Sequence, residues 1–100
     1  MGRLRGEVAI TKMIIDALKP RELSIIELSK TLCSGRGVQS VEITVVEVDA
    51  KTETIKVTLR GNSIDYSEVA EIMSRNGAVI RSIDEVTVSR KGGEVLKVEE

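Results

Sequence analysis

The sequence predicts an α+β domain with the element order βαββαβ, and three observations predict it. The stretch Val38 to Gly61, VQSVEITVVEVDAKTETIKVTLRG, is a hairpin written in alternation. A helical pattern flanks the hairpin on each side, and an apolar, strand-forming run lies beyond each helix. One hundred residues with 41% hydrophobic content suit a single domain with a workable core.

Residues 1 to 7, with Arg3, Arg5 and two glycines, read as a loose leader. The first strand is VAITKMIIDALK, Val8 to Lys19. Side chains on a strand alternate between faces, which puts Met13, Ile15 and Ala17 on one side and Ile10, Ile14 and Leu18 on the other. Apolar residues on both faces make this a central strand. Pro20 lacks a backbone donor and ends it.

The first helix starts at Ser24, with Glu27 at capping-box spacing and Leu23 and Leu28 placed to form a hydrophobic staple. Ile25, Leu28 and Leu32 give it an apolar stripe. Gly35 is expected to close it in the left-handed conformation.

The hairpin follows. Val41, Ile43 and Val45 alternate with Glu42 and Thr44, and the phase changes at Val45-Val46. Asp49 to Glu53 is the turn. Ile55, Val57 and Leu59 then alternate with Lys56, Thr58 and Arg60.

The second helix opens with an acidic version of the same box, Asp65 with Glu68, stapled by Ile64 and Val69. Its buried face is Val69, Ile72 and Met73, and Asn76-Gly77 ends it. The last strand is AVIRSIDEVTVS, Ala78 to Ser89, whose apolar phase changes between Ile83 and Val86. A bulge near Asp84-Glu85 accounts for that change.

Two strand-helix-strand units joined by a hairpin make the ferredoxin-like split fold, a two-layer sandwich with an antiparallel sheet. The first and third strands are central, and both helices cover one face. Ile25, Leu28, Leu32, Val69, Ile72 and Met73 are then expected to pack on Ile43, Ile55, Val57 and Leu59. The domain is residues 1–100, with its core at about 8–90 and a C-terminal tail at 91–100.

Composition removes several function classes. There is no histidine, so Ser-His and Cys-His nucleophile pairs and His-ligated zinc are absent. The single cysteine, Cys33, excludes an internal disulfide and a cysteine-built metal site. It is expected to be a buried, inert thiol in a reducing, cytoplasmic protein. Fifteen basic and sixteen acidic residues leave a net charge of -1, which gives no field to attract nucleic acid or an anionic membrane. Tyr66 is the only aromatic, so the central strands carry no platform on which bases stack, and sequence-specific RNA binding by that device is excluded. No apolar run approaches the roughly 20 residues of a membrane span. Nor is Met1 to Arg5 followed by the apolar segment of a signal peptide. A charged fraction of 31% suits a heat-adapted protein.

No residue reads as catalytic or cofactor-binding. Gly35-Arg36-Gly37-Val38-Gln39 shares its composition with phosphate-cradling loops and with the VQG stretch of acylphosphatases. In that family, however, the loop opens the first helix, whereas here it leaves the helix, as a C-cap and turn does. Asp16, Asp84 and Glu85 form the candidate metal set, because the first and last strands are neighbours and clustered carboxylates suit calcium or magnesium. The competing fate of these carboxylates is ion pairing with Lys12, Lys19 or Arg81.

The words DALKP (Asp16 to Pro20), SIIE (Ser24 to Glu27), EITVVEVDAKTETIKVTLRGN (Glu42 to Asn62) and GAVIRSIDEV (Gly77 to Val86) resemble an archaeal family, domain of unknown function 211. The resemblance runs from about Lys12 to Val88, and its most specific parts are LKP, D-x-x-T-E-T and SIDEV. It departs from the family at Met13 and Ala17, where other aliphatic residues are common. The resemblance implies a ferredoxin-like fold and subunits that associate into rings. It implies no catalytic residue.

The expected function is a non-enzymatic, self-associating module that forms a closed, cyclic homo-oligomer and takes a small ligand between subunits. Apolar residues on both faces of the first strand motivate it, since a two-layer fold leaves one sheet face without helices. The segment Glu94 to Val98 has strand-forming residues and is expected to lie along a neighbouring subunit. Two other readings compete. One is an amino-acid-binding regulatory protein like the ACT domains, which share this topology. The other is a divalent-metal-binding protein or metal-dependent enzyme that uses the carboxylates.

Overall fold

A computed structural model describes residues 7–90. Six elements follow one another: β1 (Val8–Pro20), α1 (Ile25–Cys33), β2 (Val38–Val48), β3 (Thr52–Gly61), α2 (Tyr66–Arg75) and β4 (Val79–Arg90). The strands form one antiparallel sheet in the order β2-β3-β1-β4. This is the ferredoxin-like arrangement, with β1 and β3 inside and β2 and β4 at the edges. Most of the leader and all of the tail, 91–100, lie outside the described residues.

Directly opposed residues on neighbouring strands share a face. Met13, Ile15 and Ala17 of β1 stand opposite Leu59, Val57 and Ile55 of β3, and each of these residues is at most 2% exposed. Leu28 and Leu32 of α1 and Val69, Ile72 and Met73 of α2 are buried in the same cluster. Ile25 and Ile43, expected in that layer, are half-buried at its rim.

Both helices begin where the sequence marks them. Ser24 Oγ accepts hydrogen bonds from the backbone N–H of Ile26 at 3.0 Å and of Glu27 at 3.3 Å. Asp65 Oδ1 accepts from the N–H of Glu68 at 3.1 Å. Beyond α2, the Ala78 N–H donates to Met73 O and the Gly77 N–H to Ser74 O, with Gly77 at φ +78°. These two bonds make a Schellman motif.

The end of α1 differs from the expectation. Gly35 does not take the left-handed conformation; the last turn tightens instead, with Ser34 N–H donating to Thr31 O and Gly35 N–H to Leu32 O. The positive φ falls two residues later, at Gly37, at +82°. There the loop leaving α1 crosses the end of β3 almost backbone to backbone. A Cβ on Gly37 would collide with the carbonyl of Ser63, and one on Gly61 with the carbonyl of Gly37. Close approach, and not helix closure, decides where this glycine is needed.

Three irregularities set the register of β4 on β1, one at Thr11 of β1 and two on β4 itself. Ile80, Ile83 and Val86 are three residues apart, whereas Ala17, Ile15 and Met13 are two apart. The strands nevertheless pair Ala17 with Ile80, Ile15 with Ile83 and Met13 with Val86. The extra residues, Arg81 and Asp84, have no register partner on β1. The bulge at Asp84 matches the predicted change of phase. The one at Arg81 moves Ile83 onto the face of Ile80, contrary to plain alternation. On β2 the extra residues are Gln39 and Val46, and the sequence also changes phase at the second.

Lys19 continues the covered row of β1 and is 2% exposed. Its Nζ lies 2.7 Å from Oε1 of Glu53, the residue directly across on β3. It also donates to Pro20 O at 3.0 Å and to Leu23 O at 2.5 Å. Three donors thus meet three acceptors, the condition under which a buried ammonium is tolerated.

Truncating the centre of the α1 stripe tests the packing. Leu28→Ala should lower the unfolding free energy by about 2–5 kcal/mol in urea titrations, because a cavity adds to the lost transfer energy. A loss below about 0.5 kcal/mol would place Leu28 outside the core.

Candidate functional site: the uncovered sheet face and its edges

The face away from the helices is built from the other parity of the same strands. Lys12, Ile14, Asp16 and Leu18 of β1 stand opposite Arg60, Thr58, Lys56 and Thr54 of β3. Ile14 and Leu18 are only half-buried, and Thr54 and Thr58 between the outer strands are buried. Charges frame this centre in pairs. Lys12 Nζ is 2.8 Å from Glu85, Arg81 Nε is 3.0 Å from Asp16, and Arg60 is 3.7 Å from Glu42. The hydrogen bond from Lys12 holds the Glu85 carboxyl below its ordinary range, helped by the Lys12 charge and more weakly by Arg60 and Lys56.

The candidate metal residues can now be placed. Asp16 lies opposite Ser82, and Glu85 opposite Ile14, one step along the same face. Asp16 engages Arg81, Glu85 engages Lys12, and Asp84 Oδ1 accepts from Ser82 Oγ at 2.7 Å. Among the described residues no three His, Cys, Asp or Glu side chains converge as a metal would require. A divalent ion at Asp16 and Glu85 would have to displace Arg81 and Lys12. Lys19, the third cation considered for these carboxylates, goes to Glu53 instead.

Sequence reasoning missed a polar junction at Arg36. Its guanidinium donates to Asp65 Oδ2 from two nitrogens, at 2.6 and 3.3 Å, and its Nε lies 3.6 Å from Glu68. Its own N–H donates to Glu68 Oε1 at 2.8 Å, and its carbonyl accepts from the N–H of Asp65 at 3.0 Å. The Glu68 side chain is therefore used on the neighbouring loop, while the backbone of Arg36 satisfies the cap N–H of Asp65. One signal pointed here: the glycines on each side of Arg36 let that loop come close. The hydrogen bond from Arg36 is the main cause that draws the Asp65 carboxyl below its ordinary range, followed by the one from the Glu68 N–H.

Cys33 is exposed, not buried. A helix turns about 100° per residue, so the position after inward-facing Leu32 points away from the core. Its Sγ lies 3.7 Å from Gln39 O.

The exposed large apolar side chains collect at the two edges of the described sheet. Val79, Ile83, Val86 and Val88 are on β4, Val46 and Val48 on β2, and Val8 beside the end of β4; Ile26 on α1 is the exception. Among the described residues there is no enclosed pocket, and no helix is long and apolar enough to cross a membrane.

A family model described as "Uncharacterized ArCR", domain of unknown function 211, matches residues 11–99. The chain belongs to this family. An uncharacterized protein of Methanocaldococcus jannaschii is 42% identical over 82 residues, covering 82% of this chain and 84% of that protein. Among solved structures, the full extracellular region of zebrafish Gpr126/Adgrg6 matches over 84% of this chain and 14% of that one, at 14% identity and a TM-score of 0.39. So low a score supports no argument about this domain of unknown function 211 protein.

The Arg36 junction yields a pH prediction. The folded Asp65 carboxyl titrates below its unfolded value, near 3.9. Its stabilisation is therefore complete above that value and is lost as pH falls through the lower folded one. Asp65→Asn keeps a capping oxygen and removes the charge. In urea titrations the wild type should be the more stable at about pH 7, and the gap should narrow progressively as pH falls below about 3.9. A gap that survives in acid would assign the effect to something other than the ion pair.

Proposed function

We propose that this protein is a self-associating module that closes into a homo-oligomer by joining the β4 edge of one copy to the β2 edge of the next. The observation that carries the reading is that both edges of the described sheet carry exposed apolar side chains, those on β4 drawn from both faces. Val79 and Ile83 on β4 are 59% and 44% exposed, and Val46 and Val48 on β2 are 63% and 53% exposed. The two patches lie at the same end of the sheet, because Val79 and Thr54 flank Leu18 and Thr54 faces Glu47, between Val46 and Val48. Exposed apolar side chains along a strand edge suit an interface, and open strand edges are otherwise blocked or covered.

Strand direction supports the same contact. β2 runs parallel to β1 and β4 antiparallel to it, so β4 set beside β2 of the next copy continues the antiparallel order. Contact between two different surfaces is head-to-tail, and it makes a ring when the rotation closes. A small ligand would then lie between subunits or in the central opening.

Sedimentation of the full chain at micromolar concentration should give one discrete oligomer, and Ile83→Lys and Val46→Lys should each release monomer. A monomeric wild type would overturn self-association. An oligomer untouched by either substitution would place the contact elsewhere. Native mass spectrometry of the assembly reads the ligand. A retained amino acid would favour an ACT-like regulator, and a stoichiometric divalent ion would favour Asp16, Asp84 and Glu85 as ligands.

A further inference from the structure

The chain has two asparagines, Asn62 and Asn76, and the second is followed by glycine. An Asn-Gly pair carries a chemistry of its own. The glycine nitrogen gives up its proton and attacks the side-chain amide carbon of the asparagine. A five-membered imide forms, and ammonia leaves with the transferred proton. Water then opens the ring at either carbonyl, which yields aspartate or its β-linked isomer. Glycine favours the attack, because no Cβ shields its nitrogen and its backbone turns freely. Asn62 precedes Ser63, whose side chain crowds the same approach.

Both reacting groups of Asn76-Gly77 are engaged in the cap of α2. Asn76 Nδ2 donates to Ile72 O at 2.8 Å, which fixes the side-chain amide against the last turn of the helix. The Gly77 N–H donates to Ser74 O at 3.0 Å, and the Ala78 N–H to Met73 O at 2.9 Å. Gly77 is held at φ +78°, beside the Pro20 ring at the end of β1. For the imide to close, the side chain must leave Ile72 O and the Gly77 N–H must leave Ser74 O. The cap must therefore open first. Gly77 is exposed, so base and water reach it when that happens.

We propose that Asn76 is a site of spontaneous deamidation, with water as the co-reactant, and that the α2 cap gates it. The product does not fit the cap it came from. A carboxylate at position 76 has no N–H to give to Ile72 O. It also adds negative charge at a helix C-terminus, where the macrodipole is already negative. The β-linked isomer further lengthens the backbone inside the Schellman turn. Each conversion is thus an irreversible release of the end of α2 from the start of β4. The inference concerns one chain and does not depend on the oligomer proposed above.

Mass spectrometry of peptides from the full-length protein tests the site and the gate together. The protein is incubated at mildly alkaline pH, in buffer and in unfolding guanidinium chloride. In the denaturant, the peptide carrying Asn76 should convert well ahead of the one carrying Asn62. In buffer its conversion should slow by more than about tenfold, which is a cap closed by more than about 1.4 kcal/mol. Faster conversion at Asn62 in the denaturant would overturn the site. Equal rates at Asn76 in both conditions would overturn the gate, as would conversion less slowed than hydrogen exchange of the Gly77 N–H. Asn76→Asp stands in for the product. It should speed hydrogen exchange at Gly77 and Ala78 several-fold and leave the amides of β1 and β3 unchanged. Unaltered exchange at Gly77 and Ala78 would overturn the release of the cap.

Discussion

Met13, Ile15 and Ala17 must meet a helix layer above and an apolar neighbour on each flank, and the apolar residues of β4 are not spaced to match them. On the β3 side the spacing agrees, so the pairing is plain. On the β4 side it does not, and bulges at Arg81 and Asp84 absorb the difference. A one-residue slip would turn every side chain to the wrong face. Two local irregularities thus keep Ile80, Ile83 and Val86 beside the core row, and the displaced residues fall to polar duty, Arg81 on Asp16 and Asp84 on Ser82.

This register also settles the chemistry of the uncovered face. Ile14 and Leu18 look from sequence like a patch in need of a partner, yet neither is among the large apolar side chains left exposed. Lys12, Lys56 and Arg60 stand around them with long aliphatic stems, which cover apolar surface while their charged ends reach water or a carboxylate. The ion pairs with Glu85 and Glu42 hold two of those stems over the sheet. Pairs so exposed add little stability of their own. Their position places charged groups around Ile14 and Leu18, so the most exposed apolar side chains of the described sheet are those at its edges.

Much of this was legible in the sequence, and the reasons are local. Alternation gave the hairpin, the capping residues gave both helix starts, and changes of apolar phase gave the bulges at Asp84 and Val46. Features that depend on two distant segments were harder to read. The junction of Arg36 with Asp65 and Glu68 joins residues about thirty positions apart, and Gly37 is needed because Ser63 lies against it. Lys19 lies between these cases. It shares the parity of Ala17 and faces Glu53, which shares the parity of Ile55, so a buried ion pair was readable once the strands were set in register. The expectation that Asp16 approaches the Asp84-Glu85 pair followed from strand order, but each carboxylate takes a nearby partner instead: Arg81, Ser82 and Lys12.

The bulge at Asp84 divides β4 into two segments with different surfaces. Val79 to Ile83 flanks the complete four-stranded sheet, where an added strand would extend a stable platform. Among the described residues, Val86 to Arg90 flanks a stretch of β1 that lies almost wholly beyond its pairing with β3. Bulges and charges at a sheet edge are also the means by which proteins prevent indiscriminate pairing. With Asp84 and Glu85 at the boundary, one foreign strand cannot run the whole length of β4 without meeting an irregular backbone and two carboxylates.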